Sequence, residues 1–215
     1  MKNLFKGLSA GIMIAVGCAI YLACSNKYIG AGLFSIALIG VCVKDYSLFT
    51  GKIGYIITEH KKENFSVLLL GLLGNAIAVI LFGLAIGYAV PSLAETAKIA
   101  CEAKLANQNF LQTLIRGMMC GLLMYFAVSI YKEHKTIVGI LFAIPVFILA
   151  GFEHSIADIG YFAIANIYSL KAFGFIWTVI LGNALGSFIL PVLSFSTKKS
   201  DSKVENKDDN KTEVK

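Results

Sequence analysis

The sequence predicts an all-α integral membrane protein with six transmembrane helices, an inverted 3+3 repeat, and breaks in helices 2 and 5. Three observations predict it. The 215 residues are 57% hydrophobic and only 15% charged, which is far too apolar for a soluble domain of this size. Apolar runs near the length of a bilayer crossing recur along the chain. The second half also repeats the first at an offset of 108–110 residues.

The spans follow in order. Span 1 is Leu4–Leu22; no small-residue cleavage site followed by a soluble domain marks it as a signal peptide. Span 2, Tyr28–Tyr55, is interrupted by Lys44-Asp45-Tyr46-Ser47-Leu48-Phe49-Thr50-Gly51. Span 3 is Phe65–Val90 and span 4 is Phe110–Tyr131, with a longer loop between them. Span 5, Ile137–Ile167, is interrupted by Gly151-Phe152-Glu153-His154-Ser155. Span 6 is Phe173–Phe195. Residues 1–196 thus read as one transmembrane domain, with repeats at about 1–90 and 108–196. Residues 197–215 mix Lys, Asp, Glu, Asn and Ser and read as a disordered cytoplasmic tail.

Charge orients the chain. Lys2, Lys6, Lys61, Lys62, Lys132, Lys135, Lys198 and Lys199 flank one set of span ends. The other set has Lys27, Lys98, Lys104 and Lys171. The positive-inside rule places both ends in the cytoplasm, the parity that six spans in the cell membrane require.

The repeat matches Lys6-Gly7 and Gly11 with Arg116-Gly117 and Gly121 at an offset of 110, and Gly74-Asn75 with Gly182-Asn183 at 108. The offset of 108 also sets Asp45-Tyr46-Ser47 on Glu153-His154-Ser155. Three spans per unit force the two units into opposite orientations, with a pathway near the pseudo-two-fold axis. The glycine pairs allow close helix packing. Asn75 and Asn183 are read both as interhelical hydrogen-bonding groups and as pathway groups that hold the broken loops.

A broken helix frees backbone groups, which survive at membrane depth only in protein or along a cavity. New helix starts are expected near Gly51 and near Ser155, with Thr50 as a cap or a substrate donor. His154 is the only imidazole within a span, and such groups usually face a pathway. It exchanges a proton near neutral pH. Glu153 is expected to fix its loop by accepting backbone N–H groups. Phe34, Leu38, Leu48, Phe49 and Phe147 are candidate constrictions. No second His or Cys stands at ligand spacing from His154, so no metal site is expected. No cofactor and no nucleic-acid partner is expected either. An intramembrane enzyme using His154 and Glu153 as acid and base lacks a recognisable nucleophile–base–orienter set. A neutral-solute channel is the other alternative, but neither break carries Asn-Pro-Ala.

These residues resemble the formate/nitrite transporter family. The resemblance rests on Gly30-Ala31-Gly32-Leu33-Phe34-Ser35, Leu48-Phe49-Thr50-Gly51, Gly74-Asn75, Lys104 ahead of Arg116-Gly117, Gly151-Phe152-Glu153-His154-Ser155-Ile156-Ala157, and Trp177 through Gly182-Asn183. It implies an aquaporin-like protomer in a homopentamer, with one pore per subunit. It implies permeation of formate, nitrite, hydrosulfide, acetate or lactate. A neutral acid crosses a dry apolar slit at far less cost than its anion, so a proton is expected to accompany the substrate, supplied by His154, by water or by a relay at the constriction. Carried over, Lys104 attracts anions into a vestibule. His154 and Thr50 contact substrate between constrictions at Leu38, Leu48, Phe49 and Phe147. Two departures bear on selectivity: Gly121 and Asp158 each stand where the family usually has Asn. The segment before span 1 is also short for the cytoplasmic helix of many relatives.

Overall fold

A computed structural model describes residues 1–58 and 62–212, with side chains described at 1–58 and 65–194. Of the tail expected to be disordered at 197–215, residues up to 212 are described as a continuation of the last helix, and 213–215 lie outside the described residues, as does His60. Every described element is helical: α1 Lys2–Ala23, α2 Lys27–Val43, α3 Phe49–Lys52 running into a 3-10 turn Ile53–Ile56, α4 Lys62–Ala89, α5 Pro91–Asn107, α6 Phe110–His134, α7 Val138–Leu149, α8 Ser155–Ile164 and α9 Leu170–Thr212. Stretches in α1, α4, α6 and α9 are each long and apolar enough to cross a membrane; α2, α7 and α8 are shorter apolar helices. The outer surface carries many exposed apolar side chains, among them Leu33, Ile36, Leu69, Leu73, Phe142 and Trp177. A surface of that kind suits lipid or a neighbouring protein.

Helix α5 occupies what reads in the sequence as a loop. Its composition is rich in Ala, Lys and Glu, all strong helix formers, and Pro91 opens it at a position where a missing N–H costs nothing. Helix α6 begins with a reciprocal capping box between Asn109 and Gln112.

Two helix pairs make the frame. Helix α1 packs on α4 and α6 on α9, each pair meeting across small residues. A Cβ on Gly11 would lie 2.5 Å from the Asn75 carbonyl oxygen, and one on Gly121 would lie 2.1 Å from the Asn183 carbonyl oxygen. Backbone touches backbone here because these positions have no side chain.

Helix α2 ends in a turn that returns Tyr46 N–H to the Val41 carbonyl at 2.9 Å, and α7 ends in one that returns Phe152 N–H to the Phe147 carbonyl at 2.9 Å. Left-handed residues sit at matching points, Asp45 at φ 51° and Gly151 at φ 72°. These pairs differ by 106 residues. The repeat is therefore in register at 110 for the first helices and 108 for the last, but at 106 across the breaks. The sequence alignment at 108 sets Tyr46 opposite His154, whereas the structure sets Leu48 there: both are the residue just before a new helix.

Gly121→Ala should destabilise the protein by about 1–3 kcal/mol, because overpacking against fixed backbone outweighs the roughly 1 kcal/mol that Ala gains over Gly in a helix. Gly32→Ala, where a Cβ meets nothing within 4 Å, should be neutral or stabilising. Thermal unfolding of detergent-purified protein reads both.

Candidate functional site

Each break is fastened by one buried amide. Asn75, on α4, accepts from Phe49 N–H at 2.9 Å and donates to the carbonyls of Gly7 at 2.9 Å and Ser47 at 2.8 Å. Asn183, on α9, accepts from Ser155 N–H at 2.9 Å and donates to the carbonyls of Gly117 at 2.9 Å and Glu153 at 2.8 Å. A backbone bond accompanies each clamp: Ser47 N–H to the Lys6 carbonyl, and Glu153 N–H to the Arg116 carbonyl. Each side chain so satisfies the first N–H of a new helix and ties its loop to the glycine helix behind it. Both amides are fully buried. All their acceptor and donor directions toward the breaks are taken by backbone.

The held loops bring His154 and Thr50 together. His154 Nε2 lies 2.8 Å from Thr50 Oγ1. Its Nδ1 accepts from Ala157 N–H at 3.1 Å and caps α8. A ring nitrogen that accepts a backbone N–H carries a lone pair, so the proton is on Nε2 and points at the threonine. Phe147 stacks on the ring at a centroid distance of 5.9 Å. Both His154 and Thr50 are buried.

Next to the ring lies a cavity of about 400 Å³, lined among others by Lys104, Glu153, His154, Asp158, Phe34 and Phe147. Helix α5 delivers Lys104 to two carboxylates. Its ammonium pairs with Glu153 and lies 3.1 Å from Asp158 Oδ1. Gln108 donates to Glu153 Oε1 at 2.6 Å. Burial alone would lower the Lys104 pKa; the Asp158 and Glu153 carboxylates outweigh it and hold it raised. The lysine is therefore a permanent cation, but one that faces two opposing charges.

The family model described as "Formate/nitrite transporter" matches residues 1–196. The chain belongs to the formate/nitrite transporter family. It is thus a multi-pass membrane protein of a family of channels and transporters. A curated relative from Plasmodium ovale, the "Formate-nitrite transporter", is 24% identical over 199 residues, which are 80% of this chain and 61% of the relative. The "Formate channel FocB" of Escherichia coli (strain K12) is 25% identical over 175 residues, 71% of this chain and 62% of that protein. The chain thus matches about three fifths of the length of each. Two solved structures share the fold. A "Pentameric formate channel with formate bound" has a TM-score of 0.73 at 21% identity, covering 92% of this chain and 96% of that one. An "FNT family ion channel" has a TM-score of 0.76 at 20% identity, covering 91% and 88%.

Against this transporter fold, several residue expectations change. Asn75 and Asn183 hold backbone, and neither lines the cavity. Thr50 does not cap: α3 starts one residue before it, and its hydroxyl meets His154. Glu153 accepts from Lys104 and Gln108 side chains rather than from backbone N–H groups, because Asn183 already holds that loop through the Glu153 carbonyl. Gly121 faces α9, where Ser187 Oγ donates to its carbonyl at 2.9 Å; it serves packing, not the cavity. Phe34 and Phe147 line the cavity, while Leu38, Leu48 and Phe49 are buried in the core elsewhere. Gln108 and Arg116 also line the cavity. Gln108 went unnoticed because nothing in a loop-like stretch signals that a helix will aim it inward. The five cysteines are free, and among the described residues no His, Cys, Asp and Glu group could hold a metal ion.

Asn183→Leu removes three hydrogen bonds and strands buried backbone groups, each costing about 1–3 kcal/mol. It should lower stability by at least about 3 kcal/mol, and Asn75→Leu should do so equally if the clamps are equivalent. Thermal unfolding reads both; a loss in only one variant would refute the equivalence.

Proposed function

We infer that this protein is a channel for small monovalent anions of weak acids: formate, nitrite, hydrosulfide, acetate and lactate. It moves them without chemical change, which makes it a transporter and not an enzyme. One observation carries the reading: a single cavity brings together a half-buried lysine and His154, and that histidine is bonded to a hydroxyl from the opposite break. The cation draws an anion in. The imidazole N–H, given to the Thr50 oxygen, orients that hydroxyl so that its own O–H replaces water around the anion, and Phe34 and Phe147 keep the surroundings dry. The family membership supports the same conclusion.

Within this reading α1, α2 with α3, α4, α6, α7 with α8, and α9 make six crossings, and the two halves run in opposite senses. Residues 1–196 are the channel domain and 197–215 a cytoplasmic tail. Both ends face the cytoplasm and the chain sits in the cell membrane, as the lysine distribution supports. The pentameric formate channel sharing this fold supports a homopentamer with one pore per protomer.

Protons accompany the substrate. A bare anion loses its hydration in an apolar slit at a cost of several kcal/mol, whereas a neutral acid loses far less. His154 acts as a donor, not as the source of the proton. Protonating Nδ1 would release the Ala157 N–H that caps α8. This revises the simpler expectation that the imidazole itself relays the proton.

Reconstitution in proteoliposomes tests the reading. Saturable flux of at least one of the five substrates is expected, rising as pH falls. Folded protein that moves none of them would refute the channel assignment. His154→Asn should reduce flux by about tenfold, the scale of one lost donor to a charged group, yet keep the pH dependence. Loss of that dependence would assign proton transfer to the ring.

A further inference from the structure

We propose that the mouth at the first break binds a phosphate dianion, free or as the terminal phosphate of a larger molecule, through Lys6 and Lys52, and that the bound anion blocks the pathway. The binding stands on this cluster alone; the block rests on the channel reading above.

Internal symmetry places both lysines at a mouth. Arg116 and Asp158 line the cavity at the second break. Their counterparts are Lys6, at the offset of 110 that relates α1 to α6, and Lys52, at the offset of 106 that relates the breaks. The charges do not match. Ser47 stands where the second break has Glu153, and Lys52 stands where it has Asp158. The second mouth sets Lys104 and Arg116 against two carboxyl groups, whereas the first sets Lys6 and Lys52 against Asp45.

Asp45 shows what the two lysines hold. Its Oδ2 pairs with Lys6 Nζ, and its Oδ1 lies 3.9 Å from Lys52 Nζ. Two ammoniums thus converge on the two oxygens of one anion. The lysine side chains are 28% and 30% exposed, but that of Asp45 is 74% exposed. A carboxylate so open to water is weakly held, and it yields to an anion of higher charge. Lys132 adds a third cation that acts on both Lys52 and Asp45. Its ammonium lies 3.3 Å from the centre of the Tyr55 ring, on the turn that follows Lys52. Glu133, next along α6, faces His134 at 3.9 Å. Among the described residues, this cluster sets three ammoniums around one carboxylate.

Charge decides the class of ligand. A conduction site must release its cargo, so it binds a monovalent anion weakly. Three cations exceed what one small carboxylate needs and match a dianion that displaces Asp45. A phosphomonoester carries about that charge at neutral pH on three acceptor oxygens, and lysine binds phosphate as a point charge. Such an anion is too strongly hydrated to enter the apolar part of the path.

Isothermal titration of the purified full-length protein with pyrophosphate tests the site. Saturable binding is expected. Lys52→Gln should weaken it by about tenfold or more, the scale of one lost donor to a charged group, and Lys52→Arg should keep it. Asp45→Asn removes the competing carboxylate, retains a residue that tolerates left-handed backbone, and should tighten binding. No binding by folded wild type, or binding unchanged in Lys52→Gln, would overturn the site. If Lys52→Gln does not fold, Asp45→Asn decides: binding no tighter than wild type overturns the proposal. Titration in nanodiscs names the source. Binding kept in discs that contain phosphatidic acid supports a soluble phosphate; binding lost there but kept in phosphatidylcholine discs supports a lipid phosphate at the same site. In proteoliposomes at constant ionic strength, pyrophosphate on both sides should reduce anion flux. Full flux at saturating pyrophosphate would overturn the block and leave the channel reading intact. No flux of any substrate without pyrophosphate would overturn the channel reading and the block, while the titration still decides the site.

Discussion

The structure depends on two asparagine amides that turn interrupted helices into fixed geometry. A broken helix exposes N–H and C=O groups, and at membrane depth no water is at hand to satisfy them. Asn75 and Asn183 each answer two of these groups at once. Because each amide also reaches a glycine carbonyl on the neighbouring helix, the break is registered against the frame. The glycines matter for the same reason. Only a helix without side chains at Gly7 and Gly117 comes close enough for an amide on α4 or α9 to reach across. Close packing and loop fixation are thus one arrangement, and the placement of His154 and Thr50 follows from it.

Much of this was legible in residues whose meaning does not depend on context. An Asn inside an apolar run must find partners, a small-xxx-small pair must meet another helix, and a His beside a Glu must interrupt a span. What the sequence hid was register and direction. The breaks align at 106 because the second half is four residues shorter than the first between its glycine contact and its break, and two residues longer from break to clamp, and nothing local encodes those differences. Alternation of apolar residues does not say which face of α6 meets α9, so Gly121 reads equally as a pore position and a packing position. Helix α5 was invisible as a helix because its amphipathic signal is weak. With it went the side chains it delivers, and the pairing of Lys104 with both Glu153 and Asp158 depends on where it lies in space.

The vestibule then presents an electrostatic problem that the family resemblance alone does not. A lysine in a cavity attracts anions, but its field is spent where two carboxylates lie against it. Glu153 and Asp158 both lie against its ammonium, so on the channel reading its pull on an anion is short-ranged. The same cluster costs a neutral acid almost nothing, since it brings its own donor and no net charge into the dry space beside Phe34 and Phe147.

The pseudo-symmetry sharpens the point, because function resides where it fails. The two clamps, the two glycine contacts and the two loop turns are equivalent, yet the residue preceding each new helix is Leu48 in one half and His154 in the other. A leucine there packs into the hydrophobic core. A histidine there caps its own helix through Nδ1 and offers its Nε2–H across the axis to Thr50, which belongs to the opposite half. The bond between them joins the two repeats at a point where neither would have a polar contact alone. A duplicated scaffold supplies rigid placement for both, and the difference between its halves sets an apolar core residue at one break and a hydrogen-bonding ring at the other.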